Sequence, residues 1–94
     1  MGQVDVGRVR RNEETFAFAN EQILEAAALH GVEPVPFVCE CTAPGCTELI
    51  PIPADEYRRV RQSGRFLLKP GHDDPDVEHI VAEHDGYVVV EKFR

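Results

Sequence analysis

Every cysteine of the chain lies in the eight residues CECTAPGC, as Cys39, Cys41 and Cys46. In extended backbone, residues two apart point the same way, so Cys39 and Cys41 present both sulfurs to one side and Glu40 to the other. The next stretch, APGC, has proline at the second and glycine at the third position of a turn. A type II turn takes those two residue types there, and it carries Cys46 back toward the first two sulfurs. Zinc takes four ligands in a tetrahedron, from thiolate and imidazole. The chain offers four histidines, His30, His72, His79 and His84. His72 is favoured because it sits in KPGHDDPD, a loop free of ladder constraints that follows a strand. His30 closes a helix, and His79 and His84 fall in a final hairpin, on opposite faces. The spacing is C-x-C-x4-C-x25-H. Another histidine or a water stays open as the fourth ligand. Three thiols without a metal is the competing account, but packing alone explains three cysteines around one turn poorly.

A catalytic zinc keeps an open position with a carboxylate beside it. Alternation sends Glu40 away from the sulfurs, and three thiolates donate so much charge that a bound water becomes a poorer acid. A structural zinc is therefore expected. Its binding contributes on the order of 10 kcal/mol to folding, against a usual margin of roughly 5–15 kcal/mol. Asp73 or Asp74 is a candidate to orient the imidazole through its second nitrogen, with two solvated loop acids as the equal alternative. Three cysteines cannot all pair within one chain, so reduced thiols holding a metal fit better than a disulfide framework.

The elements that position these ligands follow from periodicity and turn residues. Residues 1–11 are polar and are expected to form a flexible segment. Asn12 is a candidate helix cap, with Glu13 and Glu14 in the first turn and the helix running to about Leu29. His30 and Gly31 close it. Phe16, Ala19, Ile23, Leu24, Ala26 and Ala27 share one arc of the helix. Asn20 intrudes on that arc as a hydrogen-bonded packing residue, while Phe18 and Leu29 fall on the polar side. A strand near Pro36–Cys41 pairs antiparallel with about Thr47–Ile52. ADEYRRVRQSG reads as a short helix ended by Gly64, and RFLLK as a third strand. VEHIVAEHDGYVVVEKF reads as two strands around Asp85-Gly86, the preferred pair of a type I′ hairpin. The expected fold is α+β. In it the N-terminal helix packs on a small, mainly antiparallel sheet, with a zinc knuckle and a short second helix, as one domain over residues 12–94.

FVCECTAPGCTELIPIPADEYRRVR, followed by RFLLKPGHDDPDVEHIVAEHDGYVVVEK, resembles a group of small, functionally uncharacterised bacterial proteins seen mainly in actinobacteria. Members look like a helix opening on an RNE stretch, here Arg11, Asn12 and Glu13, then C-x-C, a third cysteine, PGH and a terminal strand like YVVVEK. The match covers about residues 11 to 92. It implies that Cys39, Cys41, Cys46 and His72 form one constellation, and it implies no activity.

Ninety-four residues make a single core, and 43% hydrophobic with 29% charged residues suits a globular chain. A formal net charge of −7 disfavours general affinity for nucleic acid or anionic lipid. No apolar run approaches the ~20 residues that span a bilayer. The start lacks the apolar stretch of a secretory signal, and Val6 stands where a myristoylation signal prefers Ser or Thr. A cytoplasmic protein is expected.

Arg58, Arg59, Arg61 and Arg65 form a basic island on or beside the second helix. A solvated helix face is its plainer account; a docking site for an acidic protein surface or RNA phosphate is the sharper one. Phe18 is a second candidate contact. No aromatic residues interleave the arginines for base stacking, and no phosphate-binding glycine loop or nucleophile elbow occurs. The leading expectation is a non-enzymatic zinc-binding module with a regulatory or adaptor role, acting on an unidentified protein partner. A thiol and zinc redox sensor is the alternative, with a nucleic-acid binder behind it and a metallohydrolase last.

Overall fold

The computed structural model describes the backbone of residues 6–93 and the side chains of residues 14–93. Its elements, in order, are α1 (Val6–His30), β1 (Val35–Val38), β2 (Leu49–Ile52), α2 (Ala54–Gln62), β3 (Phe66–Leu68), β4 (Glu78–His84) and β5 (Tyr87–Lys92). The helix begins earlier than the Asn12 cap predicts. Arginine and glutamate favour helix, and no proline stands between Val6 and His30 to stop it. The expected flexible segment therefore divides. Residues 6–11 continue α1, while residues 1–5 lie outside the described ones, as does the Asn12 side chain.

Gly31, at φ 65°, ends α1 as expected. The Val32 N–H bonds back to Ala27 O at 3.0 Å, closing the last turn in the Schellman manner. The buried face of α1 holds Ala17, Asn20 and Ala27, with Ile23 and Leu24 packed against the core. That arc is rotated slightly from the predicted one, and Ala26 is exposed.

The strands form two antiparallel sheets rather than one: a pair, β1-β2, and a triplet ordered β3-β5-β4. In the pair, Val35 lies opposite Ile52 and Phe37 opposite Ile50, and all four are buried. Pro36 and Pro51 face one another on the solvent side. Proline offers no ladder donor, which edge strands tolerate, and in a pair both strands are edges. In the triplet, β5 is central and Tyr87, Val88, Val89 and Val90 are all buried. The Phe37 ring stacks on Tyr57 of α2 at 4.2 Å between centroids, tying the pair to the second helix.

The last hairpin departs from its predicted turn. Gly86 has φ 87°, but no residue other than glycine has positive φ among the described residues. Asp85 thus keeps ordinary backbone, whereas type I′ requires positive φ at both central residues. A register shift between Ile80 and Ala82 adds Val81 as an extra residue in β4. Among the described residues no helix is long and apolar enough to cross a membrane.

Candidate metal centre

The site is assembled where the two sheets meet. Cys39 follows β1 and still follows its pairing, since its N–H bonds to Glu48 O at 2.9 Å. One residue later the chain changes neighbour, and the Glu40 N–H bonds to Leu67 O of β3 at 2.8 Å. Cys39 and Cys41 are buried with their sulfurs in one group, while Glu40 turns the other way into the core. The predicted alternation holds across this short extended segment.

Two proline-glycine turns then deliver the remaining candidate ligands. In Ala43-Pro44-Gly45-Cys46 the Cys46 N–H bonds to Ala43 O at 3.3 Å, with Gly45 at φ 78°. In Lys69-Pro70-Gly71-His72 the His72 N–H bonds to Lys69 O at 3.1 Å, with Gly71 at φ 85°. Both have the glycine conformation a type II turn requires, and in each the residue after glycine is a candidate ligand.

The ligand atoms of Cys39, Cys41, Cys46 and His72 all lie within 4.8 Å of one another. His72 Nδ1 is 3.6 Å from both the Cys39 and the Cys46 sulfur. With zinc–sulfur bonds of about 2.3 Å and zinc–nitrogen bonds of about 2.0–2.1 Å, a tetrahedron has a sulfur–nitrogen edge of about 3.5 Å. The donor set and spacing therefore suit a tetrahedral metal. All three cysteines are free of disulfides. Burial pushes the Cys39 thiol up to about 12, partly opposed by the Lys69 N–H that donates to its sulfur at 3.3 Å. Burial raises the Cys41 thiol too. Left to themselves these groups keep their protons, so a metal must displace them on binding.

The other histidines lie elsewhere. His79 stacks on Phe93 at 5.3 Å and His84 on Tyr87 at 4.6 Å. They do not occupy opposite faces. His79 lies opposite Glu91 and His84 opposite Tyr87, and these partners are four apart on an unbroken β5, so the bulge has put both histidines on one face. Asp74 also differs from its expected role, because its Oδ1 accepts the Asp76 N–H at 3.1 Å. Among the described residues no hydrogen bond joins His72 to Asp73 or Asp74.

The basic island separates into different roles. Arg58 pairs with Asp55 at 2.7 Å on the surface of α2. Arg61 is half-buried, 3.5 Å from Glu21 of α1, over the Phe66 ring at 5.3 Å, and donates to Arg65 O at 3.0 Å. Arg61 thus staples α1, α2 and β3 together. Arg59 is exposed, and so is Phe18, at 62%.

Glu40 is the residue whose importance the sequence reading did not draw out. It is fully buried and accepts from Tyr57 Oη at 2.6 Å, Asn20 Nδ2 at 2.8 Å and Leu67 N–H at 2.8 Å. Burial outweighs those donors and raises its carboxyl above the usual range. Its alternation away from the sulfurs was a usable signal, as was Asn20 inside an apolar arc, because two buried polar side chains must find partners.

Comparison of the chain with protein-family models, curated proteins and solved structures gives no match. The site's chemistry therefore stands on its own geometry.

Proposed function

We propose that the chain is a non-enzymatic zinc-binding module whose Cys39, Cys41, Cys46 and His72 hold one structural zinc, and which acts through contact with another protein. The observation that carries this reading is the meeting of four soft or borderline donors within 4.8 Å, two of them delivered by proline-glycine turns. Zinc is favoured by the donor chemistry, because three thiolates and an imidazole suit it better than calcium or magnesium, which take oxygen. A structural role is supported by the four protein ligands, which complete a tetrahedron, and by Glu40, which is engaged in the core rather than facing the sulfurs. Exposed Arg59 and Phe18 are the contact candidates that remain after Arg58 and Arg61 find partners within the chain. The test is substitution of single ligands. Cys46→Ser and His72→Ala should each lower zinc content and melting temperature, and unchanged values for both reject the assignment.

A redox role is the second reading, favoured by the exposure pattern. Cys46 is partly exposed while Cys39 and Cys41 are buried, so an oxidant arriving from solvent meets Cys46 first. Two thiolates would give two electrons to a peroxide, forming one disulfide, with the peroxide reduced and zinc released. Zinc that leaves with mild peroxide and returns with reductant supports this reading; zinc retained until the chain unfolds rejects it.

A further inference from the structure

Between the two buried cysteines stands a buried acid that no metal needs as a ligand. Glu40 binds both backbone groups of Leu67: its N–H donates to Leu67 O, and its Oε1 accepts the Leu67 N–H, each at 2.8 Å. Oε2 accepts from Tyr57 of α2 at 2.6 Å and from Asn20 of α1 at 2.8 Å. Asn20 in turn brackets Val38, donating to its carbonyl and accepting from its N–H, each at 2.8 Å. One side chain thereby joins three elements at the residue that separates two candidate ligands.

The pairing also sets register. Leu67 lies two residues before Lys69, the first residue of the turn that presents His72. Beyond the Glu40–Leu67 pair, the Lys69 N–H reaches the Cys39 sulfur at 3.3 Å, so the two segments run past one another in antiparallel sense. A slip by one residue would move His72 by about 3.3 Å relative to the cysteines. Metal–ligand distances tolerate only about 0.2 Å. The chemistry requires an acid here. Three donors converge on two oxygens, and a carboxylate accepts at both, whereas glutamine must turn its amide hydrogens toward one group of donors.

We propose that Glu40 is the positioning residue of the metal centre, its carboxylate holding Cys39 and Cys41 in register with His72 by tying residue 40 to β3, α1 and α2. This rests on the zinc reading above. The test measures the zinc dissociation constant by competition with a chromophoric chelator, and the ligand-field spectrum of the cobalt(II) form, for five proteins. These are wild type, Glu40→Gln, Tyr57→Phe, the double variant of those two, and Tyr87→Phe. Glu40→Gln should weaken zinc about 10–100-fold, the range for partners that orient ligands, and should shift the cobalt bands. Tyr57→Phe keeps the ring and loses only the hydroxyl, so it should weaken zinc several-fold, and it keeps the test open if Glu40→Gln does not fold. The double variant should weaken zinc by less than the product of the two, because both changes act on one bond. Tyr87→Phe removes a 2.7 Å bond to Glu56 away from the centre; it should lower the melting temperature and leave zinc affinity within about twofold. An unchanged affinity in the folded glutamine or phenylalanine variants overturns the role of Glu40, as does an equal loss in Tyr87→Phe. Absence of zinc from the wild type overturns the zinc reading, and this role with it.

Discussion

The knuckle at residues 39–48 and the hairpin at residues 78–92 each reverse the chain at a glycine with positive φ, yet they are secured by different means. The hairpin has a backbone ladder along β4 and β5, and β5 buries Tyr87, Val88, Val89 and Val90 in succession. The knuckle has little ladder of its own. Between Cys39 and Glu48 the backbone has no strand, and its pairing comes from Glu48, Leu67 and the Ala43–Cys46 turn. Apolar burial and regular hydrogen bonding suffice for one region. The other has a buried acid, and in our proposal a central zinc, to fix what its backbone leaves free.

Removing the proposed zinc is the strongest way to break this contrast. A structural zinc contributes on the order of 10 kcal/mol to folding, and a domain of this size shifts by about 4–8 °C per kcal/mol. His72→Ala or chelation should therefore lower the melting temperature by tens of degrees. Before global unfolding, amide exchange should rise first at residues 39–48 and 69–74, with β5 the last to lose protection. Equal loss of protection in both regions would contradict a difference in how the two are held.

The next effect comes from Asn20. Asn20→Ala leaves both backbone groups of half-buried Val38 short of a partner and takes one donor from buried Glu40. The expected destabilisation is about 1–3 kcal/mol, the range for polar groups left unsatisfied on folding, read by denaturant unfolding of the zinc-loaded protein.

Glycine substitutions sharpen the comparison further. A Cβ at Gly45, Gly71 or Gly86 meets open space, so the penalty is conformational alone. Alanine at each should destabilise by about 1–2 kcal/mol. Gly45→Ala and Gly71→Ala should also weaken zinc, because each turn aims a ligand, whereas Gly86→Ala should leave zinc affinity unchanged.

The chain's two tyrosines titrate in a direction that can be checked. Burial raises both phenols above their ordinary value near 10, Tyr87 to about 12 and Tyr57 further. A raised value means that the folded state holds the proton more tightly. The stability this lends is complete below about pH 10 and declines as pH rises toward 12. An absorbance titration should show no tyrosinate at pH 10 in the folded protein; normal titration would contradict the buried positions. The smallest effect belongs to Arg59→Glu, an exposed position, which should alter stability by less than about 0.5 kcal/mol.

The meeting of the four candidate ligands was readable in the sequence because cysteine chemistry and the APGC turn are local. KPGH carries the same turn signal, although it reads at first as an irregular loop. What sequence left hidden depends on contacts between distant residues. The Glu40 network joins positions 20, 40, 57 and 67, and no periodicity announces such a meeting. The face shared by His79 and His84 follows from the Val81 bulge, which the alternating pattern conceals. The division into two sheets arises where residue 40 exchanges one strand neighbour for another.

The central claim is tested most directly by native mass spectrometry of the reduced protein, purified without added metal and then titrated with zinc. One zinc should bind per chain, with displacement of thiol protons seen as a mass deficit relative to simple addition. A folded protein that takes up no zinc under those conditions contradicts the account.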